Sequence, residues 1–143
     1  MSSATTQVLQ LLRELQQDRR DYQQVADLLQ QQYRALLAAD SRLTLQISDR
    51  LHELYLVLTA SARLRSQRLK TLHLATNAQG MQQFMALLPV SLRHQVSALW
   101  QQLLQLAAQC QQQNSRNGVL LSLQLETLST LQLQTPQSFL YQP

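Results

Sequence analysis

VLQLLRELQQDRRDYQQVADLLQQQYRAL, residues 8–36, decides the fold of this chain. Val8, Leu15, Tyr22, Leu29 and Leu36 recur every seven residues, and Leu11, Leu12, Val25, Ala26 and Tyr33 widen that line into a stripe. Such a stripe is one face of an amphipathic helix, and its strict heptad line is a coiled-coil-like seam. The pattern predicts a helix from Thr5 to Ala39, about 50 Å long at ~1.5 Å per residue, which suits an elongated bundle. Asp18 falls on the seam edge, so packing is expected to be imperfect there.

Working outward, Asp40 and Ser41 break the pattern, and either suits the N-cap of a second helix reaching about Ala75. Its seam is Ile47, Leu51, Leu54, Leu58, Ala62, Leu69 and Leu72, interrupted by Arg65, which must reach water or find a partner. So short a connection implies an antiparallel hairpin, with one continuous rod as the alternative. Thr76 to Gly80 reads as a loop, and Met81 to Leu87 as a short helix that Pro89 stops. Ser91 is the expected N-cap of a third long helix running to about Gln134, because Pro136 opposes continuation past Thr135.

Leu92, Val96, Leu99, Leu103, Ala107, Cys110, Asn114, Asn117, Leu121, Leu125 and Leu128 share one face of that last helix. Asn114 and Asn117 are polar interruptions of an apolar seam, which cost stability but can fix register. Gly118 costs roughly 1 kcal/mol against alanine inside a helix, so it should mark close approach of another backbone, or a bend. Beyond it, Val119, Leu120, Leu123, Leu131 and Leu133 point away from the seam of Leu121, Leu125 and Leu128. Glu126 is the one charge between Val119 and Thr135. A helix apolar on two sides needs two things to pack against. The bundle supplies one, and a partner protein or the segment Met81 to Leu87 folded across would supply the second. Alternation of Leu121, Leu123 and Leu125 as in a strand is disfavoured, because Leu and Gln favour helix and no hairpin partner is present.

These segments give an all-α fold: an elongated antiparallel three-helix bundle or coiled coil with a long C-terminal helix. Residues 1–135 form its single domain and 136–143 a short C-terminal tail. The composition agrees. In 143 residues there are two glycines and three prolines, so turn chemistry for a sheet is scarce. One cysteine, Cys110, cannot form an intramolecular disulfide or build a metal site alone; on the apolar seam it should be an inert thiol. Met1 to Gln10 shows no secretory signal pattern and no apolar run approaches ~20 residues, so a cytoplasmic protein is expected. The net charge of +4 invites a nucleic-acid reading. Its one unbalanced cluster, Arg63, Arg65, Arg68 and Lys70, is better read as a solvated helix face. His52, His73 and His94 are scattered, Asp49 and Glu53 share an ordinary polar face, and Gly80 and Gly118 build no phosphate loop. The reading is therefore no enzyme, no cofactor, no metal.

The stretch from Trp100 to Tyr141 resembles the C-terminal half of the FlgN family of flagellar export chaperones. The resemblance rests on Trp100, on the N-x-x-N-G motif of Asn114, Asn117 and Gly118 followed by Val119, Leu120 and Leu121, and on Ser138-Phe-Leu-Tyr141 beyond the helix. Asp49 to Leu58, with Arg68 downstream, is similar to the family's charged, leucine-containing hairpin, with Arg50 where a lysine is usual. The end departs from the family, since Gln142 and Pro143 stand where a glycine and a longer polar extension are common. The resemblance implies a cytosolic helical chaperone that binds C-terminal segments of hook-filament junction (hook-associated) proteins. It would prevent their premature assembly and deliver them to the export gate. The cargo contact is expected on Val119, Leu120, Leu123, Leu131 and Leu133, supported from behind by the seam leucines. Phe139, Leu140 and Tyr141 are expected either to dock at the gate or to cover the bundle end. The alternative is a homo-oligomeric coiled-coil adaptor without chaperone activity.

Overall fold

The computed structural model describes the backbone of residues 3–134 and the side chains of residues 5–131. Among the described residues four helices follow one another: α1 (Ser3–Leu37), α2 (Ser41–Thr71), α3 (Ala78–Ala86) and α4 (Val90–Gln134). The hairpin alternative holds, and the rod does not. At the end of α1 the Asp40 amide donates to the Ala35 carbonyl (2.9 Å) and the Ala39 amide to that of Leu36 (3.1 Å). This wrapped C-terminal motif needs a left-handed residue, and Ala39 supplies it at φ 54°. Asp40 then accepts from the Leu43 amide (3.1 Å) as the N-cap of α2. The same wrap ends α2, with His73 left-handed at φ 60° and the Leu74 amide on the Leu69 carbonyl (2.9 Å). The second helix thus stops at Thr71 rather than near Ala75.

Met81 to Leu87 does form a short helix, begun slightly earlier by Asn77, whose side chain accepts from the Gly80 amide (3.0 Å). It does not fold over the far half of α4. Met81, Phe84 and Met85 pack with Leu11, Leu15, Leu69 and Trp100 at the opposite end of the bundle. A β-carbon on Gly80 would fall on the backbone carbonyl of Ala75, so the close approach expected at Gly118 occurs at Gly80 instead. Around Gly118 a β-carbon would meet nothing, and α4 continues through it. Pro89, not Ser91, stands immediately before α4, where its carbonyl accepts from the Arg93 amide (2.8 Å).

The core has two parts. One joins Leu11, Leu15, Leu69, Val96, Leu99 and Leu103 with α3; the other joins Val25, Leu29, Ile47, Leu51, Leu54 and Cys110. Between them lies a polar crossing. Asp18 is buried on α1, paired with Arg65 of α2 at 3.0 Å, and the Arg65 guanidinium lies 5.1 Å from the centre of the Trp100 ring on α4. The two residues that interrupted the seams on α1 and α2 therefore satisfy each other. Burial pushes the Asp18 carboxyl above its usual value; the Ser61 hydroxyl and Arg65 pull it down, and Asp21 adds to the rise. Arg68 is paired with Glu14 at 2.6 Å, so two members of the basic cluster are neutralised across the α1–α2 contact.

Candidate functional site

How α1 meets α4 determines what α4 leaves open. The Cys110 thiol lies 3.5 Å from the Tyr22 carbonyl, the Asn117 amide donates to the Leu29 carbonyl at 2.8 Å, and the Gln124 amide donates to the Leu36 carbonyl at 2.5 Å. All three pairs are separated by 88 residues, so the two helices run parallel in a constant heptad register. α2 returns antiparallel, as the Arg68–Glu14 pair near one end and the Gln32–Ser48 bond (3.2 Å) near the other require. α1 is therefore the shared central helix, in an up-down-up arrangement.

Asn117 is buried, at 2% exposure. It also donates to Gln32 Oε1 at 2.9 Å and accepts from Arg116 Nε at 3.3 Å. Arg116 in turn reaches Gln30 (3.2 Å) and stacks 3.8 Å from the centre of the Tyr33 ring. One asparagine of the N-x-x-N-G motif thus fixes register, as polar seam residues can. The other does not, because Asn114 is exposed beside Tyr55 and Thr59 in a shallow valley between α2 and α4. Burial raises the Cys110 thiol above its usual pKa, which disfavours the reactive thiolate.

Beyond Asn117 the support runs out. The constant register sets Leu37, the last residue of α1, opposite Leu125, and α4 continues to Gln134 past the hairpin turn. Leu121, Leu125 and Leu128, expected to be sealed against the bundle, are 43%, 58% and 56% exposed. The expectation fails because heptad spacing marks a face but says nothing of how long its partner is. These leucines form one wall of an open groove of about 650 Å³, whose other wall is Ala35, Leu36, Ala39 and Leu45 of the hairpin. Among the described residues that line it, the one charged side chain is Asp40, which is occupied as the N-cap of α2.

The second apolar face is also open: Val119, Leu123 and Leu131 are more than half exposed, and Leu120 is half-buried. Leu123 reaches the groove as well. The side chain of Leu133, and Phe139, Leu140 and Tyr141 altogether, lie outside the described residues. Sequence reasoning missed the hairpin wall. Leu45 lies off the α2 seam, at 66% exposure, and that was its one available signal.

Among the described residues no group of three or more His, Cys, Asp or Glu side chains is placed to hold a metal ion. No helix among them is long and apolar enough to cross a membrane.

Neither the curated proteins nor the solved structures contain a match to this chain. The family described as FlgN protein matches residues 1–138. That family is one of flagellar export chaperones, not known as enzymes. The match takes in both the register-setting Asn117 and the open groove, and the chain belongs to the FlgN family.

Proposed function

We propose that this chain is a cytoplasmic chaperone for hook-associated junction proteins, binding their C-terminal segments, preventing premature assembly and delivering them to the export gate. The observation that carries the reading is the exposure of Leu121, Leu125 and Leu128 together with Val119, Leu123 and Leu131. A long helix tied into a bundle at one end and apolar on both sides at the other fits helix-in-groove recognition of a segment that folds on binding. Leu120 and Leu133 complete the proposed cargo face, and Phe139, Leu140 and Tyr141 are the proposed gate-docking residues. Handing cargo on requires only competing affinities, with no chemistry by the chaperone.

Co-purification with the C-terminal segment of each junction protein tests this, using Leu123→Asp, Leu120→Asp and the groove variant Leu125→Asp. A charge left in a desolvated apolar contact costs several kcal/mol, of order 3–5. Binding by at least one segment should fall more than a hundredfold in Leu125→Asp or Leu123→Asp, with unchanged helical circular dichroism. Equal binding by every variant would remove the cargo face from α4. The exposed overhang also favours a homo-oligomeric adaptor, which light scattering after size exclusion would reveal as a stable multimer without cargo.

A further inference from the structure

α2 and α4 both pack on α1 but not on each other: among the described residues no Cα of one lies within 8 Å of a Cα of the other. Near the α3 end Arg65 of α2 reaches over Trp100 of α4. From there to the hairpin turn a valley separates the two helices. Its upper part is a cavity of about 490 Å³ walled by Ala62 and Tyr55 of α2 and by Ala107 and Asn114 of α4, with Tyr22 of α1 at the floor. Its lower part is the groove already described, lined by Ser48 and Ser41 on one side and by Leu121 and Leu128 on the other. The four α2 residues descend in steps of seven, and the four α4 residues ascend in the same steps. The two cavities are therefore the ends of one valley, three heptads or about 31 Å long at ~1.5 Å per residue. Midway stands Gly118, where an added β-carbon would meet nothing within 4 Å, so α4 puts no side chain across the valley at that point.

We propose that this valley is the seat of a fourth helix: an amphipathic segment of about 20 residues from the partner protein, lying along α2 and α4 and completing a four-helix bundle. This deepens the chaperone reading above and rests on it. The occupant is helical because α2 and α4 offer it side chains and no free backbone edge. An extended segment would bury its own amides unpaired, whereas a helix satisfies them internally. Along this stretch α1 has two neighbours, while α2 and α4 each lack the second neighbour of a bundle helix. Ala62, Ser48, Ala107 and Gly118 are small enough for a further backbone to come close. Among the described residues lining both cavities the one charged side chain is Asp40, already used by the Leu43 amide. The buried stripe of the occupant is therefore uncharged. One turn from Thr59 of the upper wall, Arg63 is exposed and has no ion pair among the described residues. An acidic side chain on the occupant complements it at that end.

The test is titration calorimetry of the full chain with each junction-protein C-terminal segment. The parent is compared with Ala107→Glu, Gly118→Glu and a control, Gln105→Glu, on the opposite side of α4 beside Arg19. Glutamate is a good helix former and nothing stands opposite Gly118, so Gly118→Glu should unfold at a urea midpoint no lower than the parent's. Both valley variants should weaken the tightest segment about tenfold or more, and Gln105→Glu less than about twofold. Arg63→Ala should weaken it about two- to threefold and reduce its salt dependence. A segment that binds Ala107→Glu and Gly118→Glu as tightly as the parent overturns the fourth-helix seat and leaves the chaperone reading standing. An equal loss with Gln105→Glu does the same. Absence of binding by every segment overturns both. A parent that is a stable dimer, made monomeric by Gly118→Glu, also overturns the proposal, because the occupant would then be a second copy.

Discussion

Replacing Asn117 by alanine and by leucine should have opposite consequences, and the structure supplies the magnitudes. Asn117 is buried and donates both amide protons, to the Leu29 carbonyl at 2.8 Å and to Gln32 at 2.9 Å. At about 0.5–1.5 kcal/mol net per hydrogen bond, alanine loses roughly 1–3 kcal/mol, offset by at most about 0.7 kcal/mol of better helix propensity. Leucine loses the same bonds but strands little. The Leu29 carbonyl stays in the hydrogen-bond ladder of α1, and Gln32 still donates to Ser48 at 3.2 Å. Burying a leucine beside Leu29 returns about 1.5–3 kcal/mol. Asn117→Ala should therefore be less stable by about 1–2.5 kcal/mol, and Asn117→Leu within about 1 kcal/mol of the parent. Urea unfolding followed by circular dichroism measures both, with an unchanged slope confirming a like-for-like comparison. The leucine variant should show its loss elsewhere. Without an amide that finds the Leu29 carbonyl in one register only, α4 can slide by a heptad. Hydrogen exchange along α1 and α4 should then become heterogeneous. A leucine variant as destabilised as the alanine one, with a single sharp exchange pattern, would refute the register argument.

Gly80→Ala should destabilise the chain by about 1–3 kcal/mol through overpacking, since its β-carbon would fall on the Ala75 carbonyl. Because α3 lies in the same core cluster as Trp100, the fluorescence of that single tryptophan should shift to the red as α3 loosens. Ala39→Gly should stabilise by about 0.5–1 kcal/mol in thermal unfolding, because the left-handed φ of 54° strains alanine by ~1–2 kcal/mol and glycine gives back ~0.4–1 kcal/mol to the unfolded state. The buried Asp18 carboxyl titrates above its unfolded value, chiefly through desolvation. The native state therefore holds its proton longer, and the contribution of Asp18 to stability falls as pH rises from about 3.9 through the raised folded value. The stability difference between the parent and Asp18→Asn, measured by urea midpoints across that range, should move against the parent with rising pH; a difference that moves the other way would show that Arg65 outweighs burial.

The heptad line of residues 8–36 made α1 legible, because one period of burial shows in one period of residue type; its central place between α2 and α4 was not, since that depends on which helices dock on it. A cap at Asp40 or Ser41 and a register residue at Asn114 or Asn117 were legible for similar reasons, each being a polar group at a break in an apolar pattern; the structure chose Asp40 and Asn117. Gly118 was not. A glycine in a sequence announces a missing side chain but not what stands opposite, and at Gly118 nothing does, whereas Gly80, apparently a loop residue, meets the Ala75 carbonyl. The groove was half legible. The surplus of leucine past Asn117 is written in α4, but its burial depends on where α1 ends, and the 88-residue offset that decides this arises from side chain to backbone bonds between helices far apart in sequence.

Those bonds also explain how α4 can be held without spending its apolar surface. Down the contact with α1, the residues of α4 on the heptad line are Leu103, Cys110, Asn117 and Gln124, graded from apolar to polar. At the α3 end, leucine burial joins the helices. At the hairpin end, amide groups of Asn117 and Gln124 grip carbonyls of α1 instead. A net ~1 kcal/mol per hydrogen bond is less than a buried leucine returns, but it fixes position and leaves the neighbouring leucines uncommitted. Were Gln124 a leucine, the last rung would draw α4 inward and close apolar surface against Leu36 and Ala39. The polar rungs keep α4 aligned while Leu121, Leu125 and Leu128 stay exposed, a division of labour along one helix that suits the cargo binding proposed above.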